Sequence, residues 1–330
     1  MKDFYQLTPR GRALRLRRMA IAALERYDLD VRRVRLVTND FNGIYRLDTA
    51  DGNKHILRVC LPEGGHSLEE IRSEMIWLAA LHRDTDLGVP QPLPTRDGAL
   101  VTTVEIPGVP QARHCVVFGW MPGLDLAERL TPENLARMGQ LAARLHDHAG
   151  VFVPPDEFWL KSKDKVCPFG EPVVLFEDAY RDLYPEGDRP LFQAAMERVQ
   201  GTIDQLFAGE QRPRVIHNDL HQWNVKVCRG RSYALDFEDL MWGFPVQDIA
   251  VSFYHLLGNE QVPDFREAFR QGYTRHRDWP EQAEGQIDTL IAGRGLMLAN
   301  FVLQDPHPEW RQQAPAFVER TGTLLHSLLA

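Results

Sequence analysis

The chain has 330 residues, 44% of them hydrophobic and 25% charged, with a formal net charge of −8. These are ordinary proportions for a soluble globular protein of one large or two small domains. They argue against nucleic acid as a general partner, and no apolar run approaches the ~18 residues that a membrane-crossing helix needs.

The N-terminus, Met1-Lys2-Asp3-Phe4-Tyr5, lacks the apolar core of a signal peptide. Cys60, Cys115, Cys167 and Cys228 are scattered without a Cys-x-x-Cys pair, so neither a zinc site nor a disulfide framework is indicated. A cytoplasmic location is expected. Residues 1–35 carry ten Lys/Arg against four Asp/Glu, a net +6, which leaves −14 for the remainder. An acidic body would attract cationic substrates, or would simply keep the protein soluble. A helix is expected over 8–27, with Leu14, Met19, Ala23 and Leu24 as its apolar stripe. Arg10, Arg12, Arg15, Arg17 and Arg18 then form a solvated face.

From Val34 the pattern becomes strand-like. Arg33 to Val37 runs into Thr38-Asn39-Asp40-Phe41-Asn42-Gly43, and Ile44 to Leu47 leaves it. This hairpin loop could close over phosphates with backbone N–H groups and the Asn42 amide. Asp51-Gly52 signals a turn, and His55 to Cys60 is the next strand. Alternation puts Ile56 and Arg58 on one side of it. Arg58 is a candidate phosphate ligand, since Arg grips phosphate bidentately, and Lys54 lies four residues earlier. Ser67-Leu68-Glu69-Glu70 is a capping box opening a helix over 67–83. Leu68, Ile71, Met75, Leu78 and Leu81 form its buried stripe, and Glu74 flanks it where a carboxylate would reach Arg58.

Gly88 to Pro94 reads as a proline-rich connector, and Leu100 to Val104 and His114 to Gly119 as two more strands. Trp120-Met121-Pro122-Gly123 breaks the pattern, and the hinge between two lobes is placed here. The backbone near Phe118, Gly119 and Trp120 is expected to hydrogen-bond a nucleotide base. Thr131-Pro132 is an N-cap followed by Pro at the first helical position. The helix runs to about His148 with Leu135, Met138, Leu141, Ala142 and Leu145 inward. Residues 150–190 show little periodicity. Helical patterning resumes at 191–207, and again at 249–257 and near 264–275, 283–303 and 312–329. Residues 150–190 and 262–303 are expected to line an acceptor pocket.

The chemistry concentrates in Val215-Ile216-His217-Asn218-Asp219-Leu220-His221-Gln222-Trp223-Asn224 and the hairpin that follows it. Val225 to Cys228 and Tyr233 to Asp236 read as strands around a turn at Gly230. That fold-back sets Asp236 beside Asn224, so two carboxylates and an amide gather in one place. All are hard oxygen donors, which suit magnesium and leave room for phosphates. A loop Asp that accepts the proton of an attacking hydroxyl, an Asn five residues on, and an Asp beyond a strand pair are the working parts of phosphoryl transfer.

His217-Asn218-Asp219-Leu220-His221-Gln222-Trp223-Asn224 resembles the His-Gly-Asp-Leu-His-x-x-Asn signature of the aminoglycoside phosphotransferase and choline kinase-like family. Leu235-Asp236-Phe237-Glu238-Asp239 resembles its metal-site strand, and Gly243 to Ala250 the helix start that follows. The resemblance runs from about residue 35 to the C-terminus and is most specific at 215–250. Asn218 stands where the family usually has Gly, and Trp223 precedes Asn224.

The resemblance implies an α+β, protein-kinase-like two-lobe fold. An N-terminal antiparallel-sheet lobe with one main helix would span 1–119, and a mainly helical C-terminal lobe 120–330, with its catalytic loop at 215–239. It implies ATP or GTP and Mg²⁺ as cofactors and a small-molecule hydroxyl as acceptor, with no nucleic acid or membrane as partner. Asp219 would be the base, Asn224 and Asp236 the metal ligands, and Arg58, Glu74, Asn42 and the Phe118–Trp120 backbone the nucleotide site. Glu238 is a candidate for a water-mediated contact. His217 would brace the loop, and Asp248 would accept backbone N–H bonds from it.

Three rivals stay open. A metallohydrolase would use His217 and His221, although no third His or Cys stands at a telling spacing. A nucleotide-binding pseudoenzyme is suggested by Arg58, which stands where kinase-like folds carry a phosphate-binding Lys. A protein Ser/Thr kinase is the third, although protein kinases usually carry Lys two residues after the catalytic Asp, where this chain has His221.

Overall fold

The computed structural model describes residues 3–39, 42–60, 66–185, 187–304 and 308–329. It divides into two compact units, residues 1–122 with 153–159, and residues 123–152 with 160–330.

The first unit begins with helix α1 (Pro9–Leu24), capped by Thr8 with Pro at its first turn. Three antiparallel strands follow, β1 (Val31–Asn39), β2 (Gly43–Thr49) and β3 (Lys54–Val59). Helix α2 (Leu68–Asp84) comes next, then β4 (Pro92–Leu93), β5 (Thr102–Val104) and β6 (Arg113–Gly119). The sheet order is β1-β2-β3-β6-β4, with β5 also on β6. Alternation along β2, β3 and β6 sends Tyr45, Leu47, Leu57, Val59, Cys115 and Val117 to one face. There they pack on Leu16, Met19, Ala20 and Ala23 of α1.

The basic helix is therefore a cover for the sheet. Its buried stripe differs from expectation at two positions: Leu16 and Ala20 are buried, whereas Leu14 is exposed and Leu24 half-buried. Two of its arginines serve the packing, Arg15 Nη1 donating to the Gly108 carbonyl at 2.6 Å and Arg17 Nε to that of Val34 at 3.3 Å. The capping box at α2 forms as the sequence indicates. Ser67 Oγ accepts the Glu70 amide, and Glu70 Oε2 accepts the Ser67 amide. The connector at 88–94 contains a short strand because Pro92 and Leu93 pair with Phe118 and Val117. Residues 153–159 belong to this unit, where the Trp159 amide donates to Ser73 Oγ on α2 at 2.7 Å.

The second unit opens with β7 (Leu124–Asp125) and helices α3 (Pro132–Val151) and α4 (Asp188–Ala208). Four short strands follow, β8 (Arg214–Ile216), β9 (Val225–Cys228), β10 (Arg231–Ala234) and β11 (Met241–Gly243). Helices α5 (Pro245–Tyr254), α6 (Val262–Thr274), α7 (Gln286–Gln304), α8 (Pro308–Arg311) and α9 (Ala314–Leu329) complete it. Strands β10-β9-β7 form one small sheet, and β8 pairs with β11.

Helices α3 and α6 cross at two glycines. A Cβ at Gly139 would stand 2.0 Å from the Phe269 carbonyl oxygen, and one at Gly272 1.8 Å from that of Ala136. Only residues without side chains allow that approach. Helix α7 is buried along most of its length and packs against α4, α5 and α9. Among the described residues, no helix is long and apolar enough to cross a membrane.

Candidate active site

The loop between β8 and β9 is held by one buried carboxylate. Asp248, in the first turn of α5, accepts the His217 amide at 3.0 Å on Oδ2 and the Asn218 amide at 2.6 Å on Oδ1. Its Oδ2 also accepts from His146 Nε2 at 3.0 Å, and His146 Nδ1 accepts the Tyr273 hydroxyl at 2.9 Å. Burial alone would raise the Asp248 carboxyl, but the His146 bond and the backbone donors outweigh it and hold it below the usual value. His217 donates from Nε2 to the Leu235 carbonyl at 2.9 Å, and its ring packs on Phe237 with centroids 4.5 Å apart. Its Nδ1 accepts the Asp219 amide at 3.4 Å. Both ring nitrogens of His217 are thus committed to the loop, and they do not serve the metallohydrolase alternative.

Asn218 has φ +63°, in the left-handed region. Gly enters that region without strain and Asn with little, so Asn is tolerated at this position. Its Oδ1 accepts a close bond from Lys163 Nζ. Burial, then the Arg294 charge, pushes the Lys163 amine down to about 7 against the pull of Asp248, Asp219 and Asp239.

Asp219 sits at the centre. Its Oδ2 accepts from Asn224 Nδ2 at 2.8 Å and lies 3.3 Å from His221 Nε2. Its Oδ1 pairs with Arg294 Nη2 at 2.5 Å. Burial pushes this carboxyl up, but Arg294 and His221 overcome it and keep Asp219 ionised well below the ordinary carboxylate range. Asn224 Nδ2 also bonds the Asp219 carbonyl at 3.0 Å, so its Oδ1 is turned the other way.

The hairpin turns at Arg229 (φ +48°) and Gly230 (φ +76°), a two-residue loop with both residues left-handed. The returning strand ends at Ala234, earlier than expected. The Leu235 amide still donates to the Asn224 carbonyl at 2.8 Å, and Asp236 follows off the strand with φ +62° and an exposed side chain. The chain thus brings Asn224 and Asp236 to the open end of one hairpin. Asp239 titrates unusually: burial, then the charges of Asp219 and Glu238, push it up to about 8.

In the first unit, Arg58 and Glu74 are both buried and form a two-pronged pair. Arg58 Nη1 donates to Oε1 at 3.0 Å, and Nη2 makes a still closer bond to Oε2. The Arg58 guanidinium also lies 5.5 Å from the Phe118 ring centroid. Two of the backbone donors expected for a nucleotide base are already used. The Gly119 amide donates to Gln91 O at 2.9 Å and that of Trp120 to Lys54 O at 3.2 Å. The short strand at 92–93 brings Gln91 to Gly119, and the connector had concealed it. Of the hairpin loop at 38–43, Asp40 and Phe41 lie outside the described residues. Asn42 is half-buried just before β2.

Sequence reasoning passed over Arg294, Lys163, His146 and Tyr273. Arg294 had a faint signal, a charged residue inside an otherwise apolar helix. The others had none.

A model described as the phosphotransferase enzyme family matches residues 33–284. Over 309 residues the chain is 23% identical to amicoumacin kinase of Bacillus subtilis, covering 93% of this chain and 82% of that protein. Among solved structures, it resembles the microcompartment-associated aminopropanol kinase with TM-score 0.76 and 24% identity, over 94% of this chain and 97% of that one. It also resembles amicoumacin kinase hAmiN, solved with AMP-PNP, Ca²⁺ and Ami, with TM-score 0.73 and 17% identity, over 94% and 96%. The fold is protein-kinase-like, and with its family model spanning most of the sequence, the chain belongs to the phosphotransferase enzyme family.

Proposed function

We propose that the chain moves the γ-phosphate of ATP to a hydroxyl group of a small molecule, with magnesium as its metal. The observation that carries this reading is the Asp219 carboxylate, kept ionised by Arg294 and oriented by Asn224 Nδ2. A carboxylate held so far down is a weak proton sink. Its main work is to accept the acceptor's O–H hydrogen bond and aim that oxygen. That suffices for phosphoryl transfer, where positioning and charge neutralisation dominate.

The donor set fits magnesium. Asn224 Oδ1 is turned away from Asp219, and Asp236 is an exposed carboxylate one residue past the point where the returning chain bonds Asn224. Both are hard oxygen ligands. When bound, the ion neutralises charge on the phosphate oxygens. Glu238 is the nearest further carboxylate in sequence for a water-mediated contact.

Arg58, oriented by Glu74, is the proposed phosphate-binding cation of the first unit, with the Asn42 amide as its loop partner. With the amides of Gly119 and Trp120 engaged, contacts to a base near Phe118 would fall to carbonyl oxygens. The AMP-PNP in the hAmiN structure supports ATP. Aminopropanol kinase and amicoumacin kinase, by name, support a small-molecule acceptor.

The test is acceptor-dependent ADP release with Mg-ATP across amino alcohols, aminoglycosides, choline and homoserine. The expected result is release above the acceptor-free rate with at least one alcohol, abolished by Asp219→Asn. Release that ignores both acceptor and Asp219 would sink the reading.

A further inference from the structure

Beside the proposed magnesium ligands lies a second group of different chemistry. A ring nitrogen of His221, a ring nitrogen of His255 and a carboxylate oxygen of Asp219 all lie within 4.8 Å of one another. The two imidazoles pack with centroids 4.1 Å apart and planes inclined by 41°. His255 follows directly on α5, and its main chain is tied to the loop, since Gln222 Nε2 donates to its carbonyl at 2.7 Å. Its Nε2 is buried, and among the described residues it finds no hydrogen-bond partner. A buried polar atom without a partner is costly unless something else completes it.

We propose that Asp219, His221 and His255 form a site for a zinc-class divalent cation, whose occupation stops phosphoryl transfer by claiming the carboxylate that the acceptor hydroxyl needs. Two imidazoles and one carboxylate are a zinc-type donor set with a fourth position left for water, whereas magnesium prefers oxygen ligands. The two ions are therefore sorted by donor type, magnesium to Asn224 and Asp236 and the softer ion to the histidines. Arg294 holds Oδ1 of Asp219, and Oδ2 is the oxygen that faces His221. The guanidinium stays beside the site, and its charge moderates the affinity. Coordination through His221 Nε2 moves that ring's proton to Nδ1, which now accepts the Trp223 amide at 3.2 Å. That amide is in an exposed segment, where water replaces the lost partner. His255 Nε2 has no bond to lose.

Metal binding stands apart from the kinase reading, whereas the inhibition rests on it. The experiment therefore has two arms. In the first, the full-length protein without nucleotide is titrated with Co²⁺ and followed by visible absorption, with Zn²⁺ in competition. One equivalent is expected, with the intense bands of a four-coordinate ion, unmoved by millimolar-range Mg²⁺. His255→Gln and His255→Phe should weaken binding by roughly tenfold or more, with folding of each variant checked by its thermal melt. In the second arm, Zn²⁺ should suppress acceptor-dependent transfer in the parent protein but not in His255→Gln, which transfers normally with Mg²⁺ alone. No cobalt spectrum, or one undiminished in both folded His255 variants, overturns the site. Binding that leaves transfer untouched overturns the inhibition. If the parent protein transfers nothing, the kinase reading fails while the cobalt arm still decides the site.

Discussion

Replacing Arg294 by methionine tests the electrostatics of the candidate base. The Nη2–Oδ1 contact is 2.5 Å; the Arg294 side chain is 8% exposed and that of Asp219 18%. Two unit charges about 4 Å apart attract by on the order of 4 kcal/mol at an effective dielectric of ~20. Water reaches Asp219, so we take about half, ~2 kcal/mol, which corresponds to roughly 1.5 pH units. Burial is the leading influence on this carboxyl and pushes it up. Once Arg294 is gone, that push is still opposed by His221 and the Asn224 amide. The parent enzyme should show no loss of kcat/KM from Asp219 protonation between about pH 5 and 7, because the carboxylate is already formed. In Arg294→Met the acid limb should move upward by at least one pH unit, toward the ordinary carboxylate range, and it is followed below pH 5. The assay is the pH profile of kcat/KM for ADP release, with Arg294→Lys as a partial rescue. A methionine variant whose profile overlays that of the parent would refute the pairing as the cause of the low proton affinity.

Asp219→Asn should retain ATP binding by calorimetry yet lose transfer by a factor on the order of 10³ or more; near-normal turnover would remove Asp219 from its role. Asp248→Ala strands two buried amides, those of His217 and Asn218, and should cost ~3 kcal/mol in urea unfolding, together with most activity. The parent's Asp248 carboxyl lies below its ordinary 3.8 when folded, so its ionisation stabilises the protein above that pH. The contribution is lost as pH falls through the lowered value, and acid titrations of Asp248→Asn should lack that part of the loss. Gly272→Ala should destabilise by about 3 kcal/mol, since α3 and α6 must separate to admit the methyl; an unchanged melting temperature would contradict the close crossing. Glu74→Gln weakens a two-pronged buried ion pair and should raise KM for ATP by roughly tenfold with a smaller change in kcat, read from steady-state kinetics.

Short-range chemistry was legible in the chain. The capping box at Ser67 and Glu70, the turn at Arg229-Gly230 and the period-two face of β3 are set by neighbours a few residues apart. From them followed the helix, the hairpin and the proximity of Arg58 to Glu74. The loop carrying His217, Asp219 and Asn224 could be read as phosphoryl-transfer chemistry because its roles lie within eight residues. Even there the details shifted: Asp236 leaves the strand at positive φ, and α1 buries Leu16 in place of Leu14.

Only the tertiary structure showed what surrounds the candidate base. Arg294 reaches Asp219 from 75 residues away, His146 reaches Asp248 across 102, and Lys163 meets Asn218 across 55. Such partners leave no local periodicity, because each lies on its own helix or loop and meets the others only where packing brings them together. Two glycines let α3 and α6 touch, which places His146 against Tyr273, and α7 buries the arginine that sets the charge of Asp219. The sequence by itself determined the local elements and the family of the reaction, since both are written in contiguous residues. Which charges and imidazoles face the candidate base was decided by the fold, since Coulombic and packing forces act through space and not along the chain.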